Sequence, residues 1–519
     1  FKQKTAYEIM PSLVGSEMCI RDRYHPRSVG GPNDADAEFI ELANIGTETI
    51  NLNLVRFTRG IDFTFGDIDL ASGQYIVVVA DRASFEARYG PSVNIAGQYS
   101  GRLDNAGERI RIEDAAGAVI LDFRYRDGWY SHTDGDGFSL TVVDPYNADV
   151  NSWSSKSGWR PSAFVGGSPG YDDSGYVPLP GSVVINEVLA HAHGQAPDWI
   201  ELHNTTDEAI NIGGWFLSDS DADDPNRMKY RIADGTVIDP CGYIVFYEDR
   251  HFGNVLDEGC IVGFALSENG DKVVLSSGMR VDGGYVLTGY RQVESFGASE
   301  TGVAFGRYYK SSTDSFNFVA MSENTPGYAN SYPRVGPVVI NEIMYNPSSF
   351  GGYDHDEYEY VELHNITAEP VVLYDYDKGA SWRFTDGIEY EFSSEGVVIP
   401  AYGYIVVVKN PAAFLSRWPG VGADKVYGPY IGNLRNGGER LQLSKPGDLD
   451  ELGERCYIRV DRVNYSDGSH PGSCPGGVDL WPVEADGGGY SLSRVVSSDY
   501  GNDVSNWQAC VPTPAGPNP

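Results

Sequence analysis

Three windows of equal length align without a gap along this chain: GDIDLASGQYIVVV (Gly66–Val79), DGTVIDPCGYIVFY (Asp234–Tyr247) and EGVVIPAYGYIVVV (Glu395–Val408). Upstream of them stand AEFIELANI (Ala37–Ile45), PDWIELHNT (Pro197–Thr205) and YEYVELHNI (Tyr358–Ile366). Downstream come RLDNAGERIRI (Arg102–Ile112), ALSENGDKVVL (Ala265–Leu275) and NLRNGGERLQL (Asn433–Leu443). The order is the same each time, so the 519 residues read as a tandem array of one unit. Each unit runs to about 150 residues, the size of a domain rather than of a solenoid repeat.

Within a unit the pattern is that of antiparallel strands. In DWIELHN, Ile200 and Leu202 fall on one face and Trp199, Glu201 and His203 on the other, the period of a strand with one face covered. YIVVV and YIVFY are unbroken apolar runs and are expected to be central strands. Asn269–Gly270, Asn436–Gly438 and Asn105–Gly107 lie between apolar runs and read as hairpin turns with positive φ. Helical spacing is confined to short pieces such as Arg82–Tyr89 and Pro411–Trp418. The expected fold class is all-β, with β-sandwich units.

Asp and Glu number 73 against 38 Lys and Arg, a net charge of −35. Such a balance repels phosphate backbones, which argues against a nucleic-acid partner. No apolar run approaches the length of a membrane-spanning helix.

The ordered segments VVINEV, DWIELHN, IGGWFLSD, KYRIADGTVIDPCGYIVFY, LSENGDKVVL and NTPG (Asn324–Gly327) resemble the lamin-tail domain family, whose members are found in nuclear lamins and in many bacterial extracellular proteins. Three copies of the pattern cover Tyr24–Pro519, so the resemblance implies three tandem immunoglobulin-like sandwiches over 24–172, 180–331 and 336–519. The first and third copies depart at the Gly-Gly-Trp element, where Leu54–Phe57 and Leu373–Tyr376 stand near Gly213–Trp215. No sustained heptad pattern accompanies them, so a filament role is not implied.

VVINE (Val183–Glu187) and its echo at Val338 read as the entry strand of a unit. The first copy keeps only YHP (Tyr24–Pro26) of this region. What precedes it, FKQKTAYEIMPSLVGSEMCIRDR (Phe1–Arg23), shows no strand alternation and no signal-peptide core, and resembles translated sequencing-adapter sequence. Residues 1–23 are therefore expected to be non-native, and the first unit to lack its entry strand.

Candidate sites are few. Glu41, Glu201 and Glu362 recur three residues before Asn44, Asn204 and Asn365; the reading is a partly exposed strand carboxylate with a turn-forming Asn. Asp219, Asp221, Asp223 and Asp224 offer alternating carboxylates for calcium, with weaker candidates in TDGDG (Thr133–Gly137) and DHDEYE (Asp354–Glu359). Cys241 with Cys260 is a candidate disulfide, as is Cys474 with either Cys456 or Cys510. Trp153 and Trp507 head the aromatics that could stack on a glycan at one end of a unit, the competing reading being that they fill the sandwich end. His203 and His364 match each other, but Ala43 takes that place in the first copy. No GxSxG, P-loop or HExxH motif occurs.

The chain is expected to be no enzyme and to need no cofactor other than calcium. It reads as a secreted or cell-surface array acting as a spacer, adhesion or interaction module for other proteins or cell-surface polysaccharide. The alternative is an accessory region of a larger secreted enzyme. The Gly/Pro/Ser-rich linkers Ser168–Ser182 and Pro326–Pro337 predict semi-extended spacing and small contacts between units.

Overall fold

Alternation in the repeated segments becomes a pair of sheets in each unit. The computed structural model describes residues 18–23, 34–147, 150–221, 226–474 and 477–519. Side chains of 18–23 are not among the described atoms, and the YHP segment at Tyr24 lies outside the described residues.

In the second unit the entry strand Val183–Leu189 pairs with Trp199–Asn204, which pairs in turn with Tyr243–Tyr247; Phe305–Lys310 and Ser315–Ala320 complete the sheet. Its partner sheet contains Tyr230–Arg231, Phe216–Ser218 and the long hairpin Gly270–Val281 with Gly284–Gly297. The first and third units repeat both sheets around Phe39–Asn44 and Tyr360–Asn365. Ile200 and Leu202 of one sheet pack against Leu217, Val273 and Leu275 of the other in one core. Ile40 and Leu42 meet Phe57, Ile110 and Ile112 in the same way, and Val361 and Leu363 meet Phe384, Leu441 and Leu443. This is an all-β, immunoglobulin-like sandwich fold, as the strand pattern predicted.

The outer face of the first sheet is also covered. Helix Arg82–Tyr89, capped by Asp81 accepting from Ser84 N, places Phe85 against Phe39, Val77 and Val79. Helix Pro411–Arg417, capped by Asn410, places Phe414 against Tyr360, Val406 and Val408. Two covered faces explain the unbroken YIVVV runs. Among the described residues of the second unit no such helix covers the sheet, and Tyr243–Tyr247 is an edge strand rather than the expected central one.

Several expectations are corrected. Met18–Arg23 takes the entry-strand position of the first unit, pairing with Phe39–Asn44 and with Leu140–Val142. The position is therefore filled in backbone terms, although the bulge that the other two entry strands carry at Asn186 and Asn341 is missing. In the third unit the counterpart of Trp215 is Trp382, not the Leu373–Tyr376 segment: an inserted hairpin, Tyr374–Asp375 with Ala380–Ser381, displaces it along the chain. Gly107, Gly270 and Gly438 of the Asn-Gly segments do adopt positive φ, yet each leads into a strand rather than joining two. A Cβ on Gly107 or Gly438 would lie 2.4 Å from the carbonyl of Tyr125 or Tyr465, so glycine is required by close approach as well as by φ.

Candidate functional site

Among the described residues the recurrent glutamates form a well-defined polar constellation, and their hydrogen bonds go to the segments that close each unit. Glu41, Glu201 and Glu362 are 1%, 0% and 0% exposed, not partly exposed as expected. Each carboxylate accepts from the backbone of the segment that closes its unit: Gly170 N at 2.5 Å for Glu41, Gly327 N for Glu201, and Ala515 N at 2.6 Å for Glu362. In the second and third units the bulge asparagine donates to the other oxygen, Asn186 to Glu201 and Asn341 to Glu362, both at 2.7 Å. The bulge turns that side chain toward its neighbour's carboxylate. Glu187 and Glu342 extend the latch by accepting from Thr325 and Thr513 in the same closing segments. The -T-P-[GA]- ending is thus held at two points by two strand glutamates.

Asn44, Asn204 and Asn365 are buried and do form the expected turns. Their carbonyls accept from Gly46, Thr206 and Thr367 N, and their amides donate across the sheet to the carbonyls of Leu70, Ile238 and Ile399. A further acid, three residues before the latch glutamate, ties the turn that starts the second sheet. Glu38 accepts from Tyr99 Oη and Leu103 N, and Glu359 from Tyr430 Oη and Leu434 N. In the second unit the shorter Asp198 accepts from Ala192 N instead.

Burial dominates the titration of these acids. It pushes Glu201 and Glu359 up to about 7 against the pull of their hydrogen-bond donors. Glu342 and Glu362 are raised too, by burial and, for Glu362, by the neighbouring carboxylate. A carboxylic acid that is raised, buried and already committed to two or three donors inside the sheet is a structural acid.

The residues singled out from the sequence separate in space. Asp219 is held by Lys229 and Asp221 by Lys272 at 2.8 Å, while Asp223 and Asp224 lie outside the described residues. Trp153 and Trp507 are 2% and 5% exposed, which removes both from any stacking platform. They close the ends of their cores: Trp153 meets Phe123, with its carbonyl accepting from Trp159 Nε1, and Trp507 donates to Gly501 O. Cys241 and Cys260 are separate thiols, near Thr206 O and Phe252 O, so the expected bridge is not formed; Cys456, Cys474 and Cys510 are thiols as well. His203 and His364 stack on Tyr243 and Tyr404 with centroids 4.3 and 4.1 Å apart. Burial pushes His364 down to about 4, so it stays neutral on its tyrosine near pH 7.

Sequence reading missed the arrangement with metal-ligating geometry. Asp467, His470 and Asp479 bring ligand atoms within 4.8 Å of one another in the loop after Arg455–Ser466. Their atoms are engaged locally, His470 Nδ1 with Asp467 at 2.9 Å and Asp479 with Ser466 Oγ at 2.6 Å. The spacing D-x-x-H was legible but has no counterpart in the other units.

It also missed the junctions. Asp136, the TDGDG carboxylate proposed for calcium, accepts from Arg227 and Arg291 of the second unit, both at 2.8 Å, with the arginine side chains 9% and 6% exposed. Arg227 also donates to Asp221 O, so the acidic loop is tied into the same knot. Beside it His132 Nε2 meets Gly289 O at 3.0 Å, and Gly289 N donates to Ala163 O. Burial first, and then Arg291, push His132 down to about 3, so the ring is neutral. At the second junction Ser312 donates to Asp503 at 2.5 Å, Tyr500 Oη to Asn317, and Lys445 pairs with Glu300 at 2.8 Å. The first linker is itself anchored, with Asp173 accepting from Arg160 at 2.6 Å. These contacts hold neighbouring units together in addition to the linkers.

Fold and polar network together define an immunoglobulin-like sandwich module built around latched closing segments. The family model described as Lamin Tail Domain matches residues 177–286, within the second unit. Searches of the curated proteins and of the solved structures return no significant match. Among the described residues, no helix is long and apolar enough to cross a membrane.

Proposed function

We propose that the chain is a non-catalytic extracellular or cell-surface array whose units are locked to one another, presenting interaction surfaces for proteins or polysaccharide at fixed relative positions. One observation carries the reading: Asp136 binds two buried arginines of the next unit. A carboxylate shared by two arginines of the next unit specifies one placement of the two units, which a flexible tether does not need. The recurrent Glu and Asn residues support it as well, since their hydrogen bonds go to closing segments and turns rather than to a cleft. Placement outside the cell rests on the resemblance to lamin-tail domains of bacterial extracellular proteins.

The test is retention of the whole chain on immobilised cell-surface polysaccharide and on intact cells. Wild type is retained, and Asp136→Ala, which frees one junction, dissociates about tenfold faster because its surfaces no longer engage together. Equal dissociation of the two proteins contradicts a role for the fixed arrangement.

A further inference from the structure

The junction between the second and third units encloses a cavity of 330 Å³, inside the range of roughly 300–1,000 Å³ usual for small-ligand sites. Phe296, Phe305 and Phe318 line it from the second unit, and Tyr457 and Ile458 from the third. Its charged lining is Arg334, Lys445, Arg459 and Arg462 against Glu300 alone. In a chain of net charge −35, this excess of positive charge is the reverse of the surroundings.

Glu300 is already shared, pairing with Lys445 at 2.8 Å and Arg334 at 3.0 Å. Two arginines remain. A bulge brings them to one face: Ser444 lies opposite Arg459 and Gln442 opposite Arg462, with Val460 as the extra residue. Residues two apart on the partner strand share a face, so both guanidinium groups do as well. Among the described residues Arg459 makes no ion pair, and Arg462, which hydrogen-bonds Tyr500, keeps a buried Nε without a partner. Burial, then the charge of Arg462, push Arg459 down to about 10, so it remains a cation at neutral pH. The carboxylates nearest to them, Asp461 and Asp386, pair with Arg494 and Arg440, so two adjacent half-buried cations remain for a bound anion to balance.

We propose that this cavity binds a monosaccharide-sized organic carboxylate, its carboxylate held by Arg459 and Arg462 and its carbon body against Phe296, Phe318 and Tyr457. The inference rests on the locked arrangement above, because the two walls belong to different units. A free sugar acid and a uronate residue of an acidic polysaccharide present the same chemistry, and the probes below separate them.

The test is calorimetric titration of the full chain with galacturonate, oligogalacturonate and galactose. Galacturonate binds, galactose does not, and Arg459→Gln weakens binding about tenfold or more, whereas Arg459→Lys loses less. Tighter binding of the oligomer than of the monomer assigns the site to a polysaccharide; the reverse assigns it to a free acid. Circular dichroism checks folding, and if Arg459→Gln does not fold, Arg462→Gln carries the same expectation. Absence of binding to either acid, or unchanged binding in a folded arginine variant, overturns the site. Scattering on the same samples separates the two readings: no binding by a rigid array overturns the site alone, and no binding by a flexible one overturns both.

Discussion

Asp136 Oδ2 and Arg291 Nη1 stand 2.8 Å apart across the first junction, and the same oxygen accepts from Arg227. Removing the carboxylate takes one acceptor from each of two guanidinium groups that are 9% and 6% exposed, at a cost of about 1–3 kcal/mol. Asp136→Ala is therefore expected to undock the first two units while each stays folded. Hydrogen exchange reads this directly: the amide of Gly289, which donates to Ala163 O across the junction, loses protection while the sandwich-core amides keep theirs.

Steric fit at the same junction gives an independent check. A Cβ on Gly289 would lie 1.8 Å from Ser162 O, a contact that only backbone movement relieves. Gly289→Ala is expected to weaken docking by about 1–3 kcal/mol and to leave the second unit's own unfolding midpoint little changed, since its hairpin pairing is intact. Comparing the isolated second unit with the full chain by denaturant titration separates the two effects.

The latch makes a pH prediction. Glu201 titrates near 7 in the fold against an ordinary 4.5, so the native state holds its proton over an interval in which the unfolded chain has lost it. The resulting stabilisation is complete below about 4.5 and is lost as pH rises to about 7. Glu201→Gln, a neutral mimic of the protonated acid, should flatten this part of the profile. Glu201→Ala should cost about 2–5 kcal/mol at any pH, because Gly327 N and Asn186 Nδ2 both lose their acceptor. Denaturant midpoints between pH 4.5 and 8 check both.

Trp153 distinguishes core from surface. Packed against Phe123 at 2% exposure, it is expected to cost about 3–5 kcal/mol as Trp153→Ala. Retention of the folded fraction on polysaccharide should be unaltered. Loss of retention at unchanged stability would restore the stacking role that burial argues against.

The strand pattern made the fold legible because half of each strand faces a core and the period of two survives in the letters. The Glu-x-x-Asn recurrence was legible as a shared role, but not its burial. A glutamate beside covered apolar residues looks the same as one facing water until the closing segment, more than 120 residues away, is seen to lie on it. The tryptophans misled for the same reason, since an aromatic cluster at a sandwich end has one composition whether it faces in or out. Asp136 was visible only as an acidic turn, its partners belonging to another unit. The entry strand of the first unit went unread because Met18–Arg23 has neither the apolar run nor the Asn-Glu pair of its counterparts, yet its backbone pairs in the same place.

Small-angle scattering of the full chain, alone and as Asp136→Ala, tests the locked array most directly. The account predicts that wild type fits one fixed arrangement of its units with a radius of gyration insensitive to moderate salt, since buried pairs are little screened, and that Asp136→Ala is larger and fits only an ensemble. A wild-type profile that already requires independently moving units, or one that the substitution leaves unchanged, would contradict it.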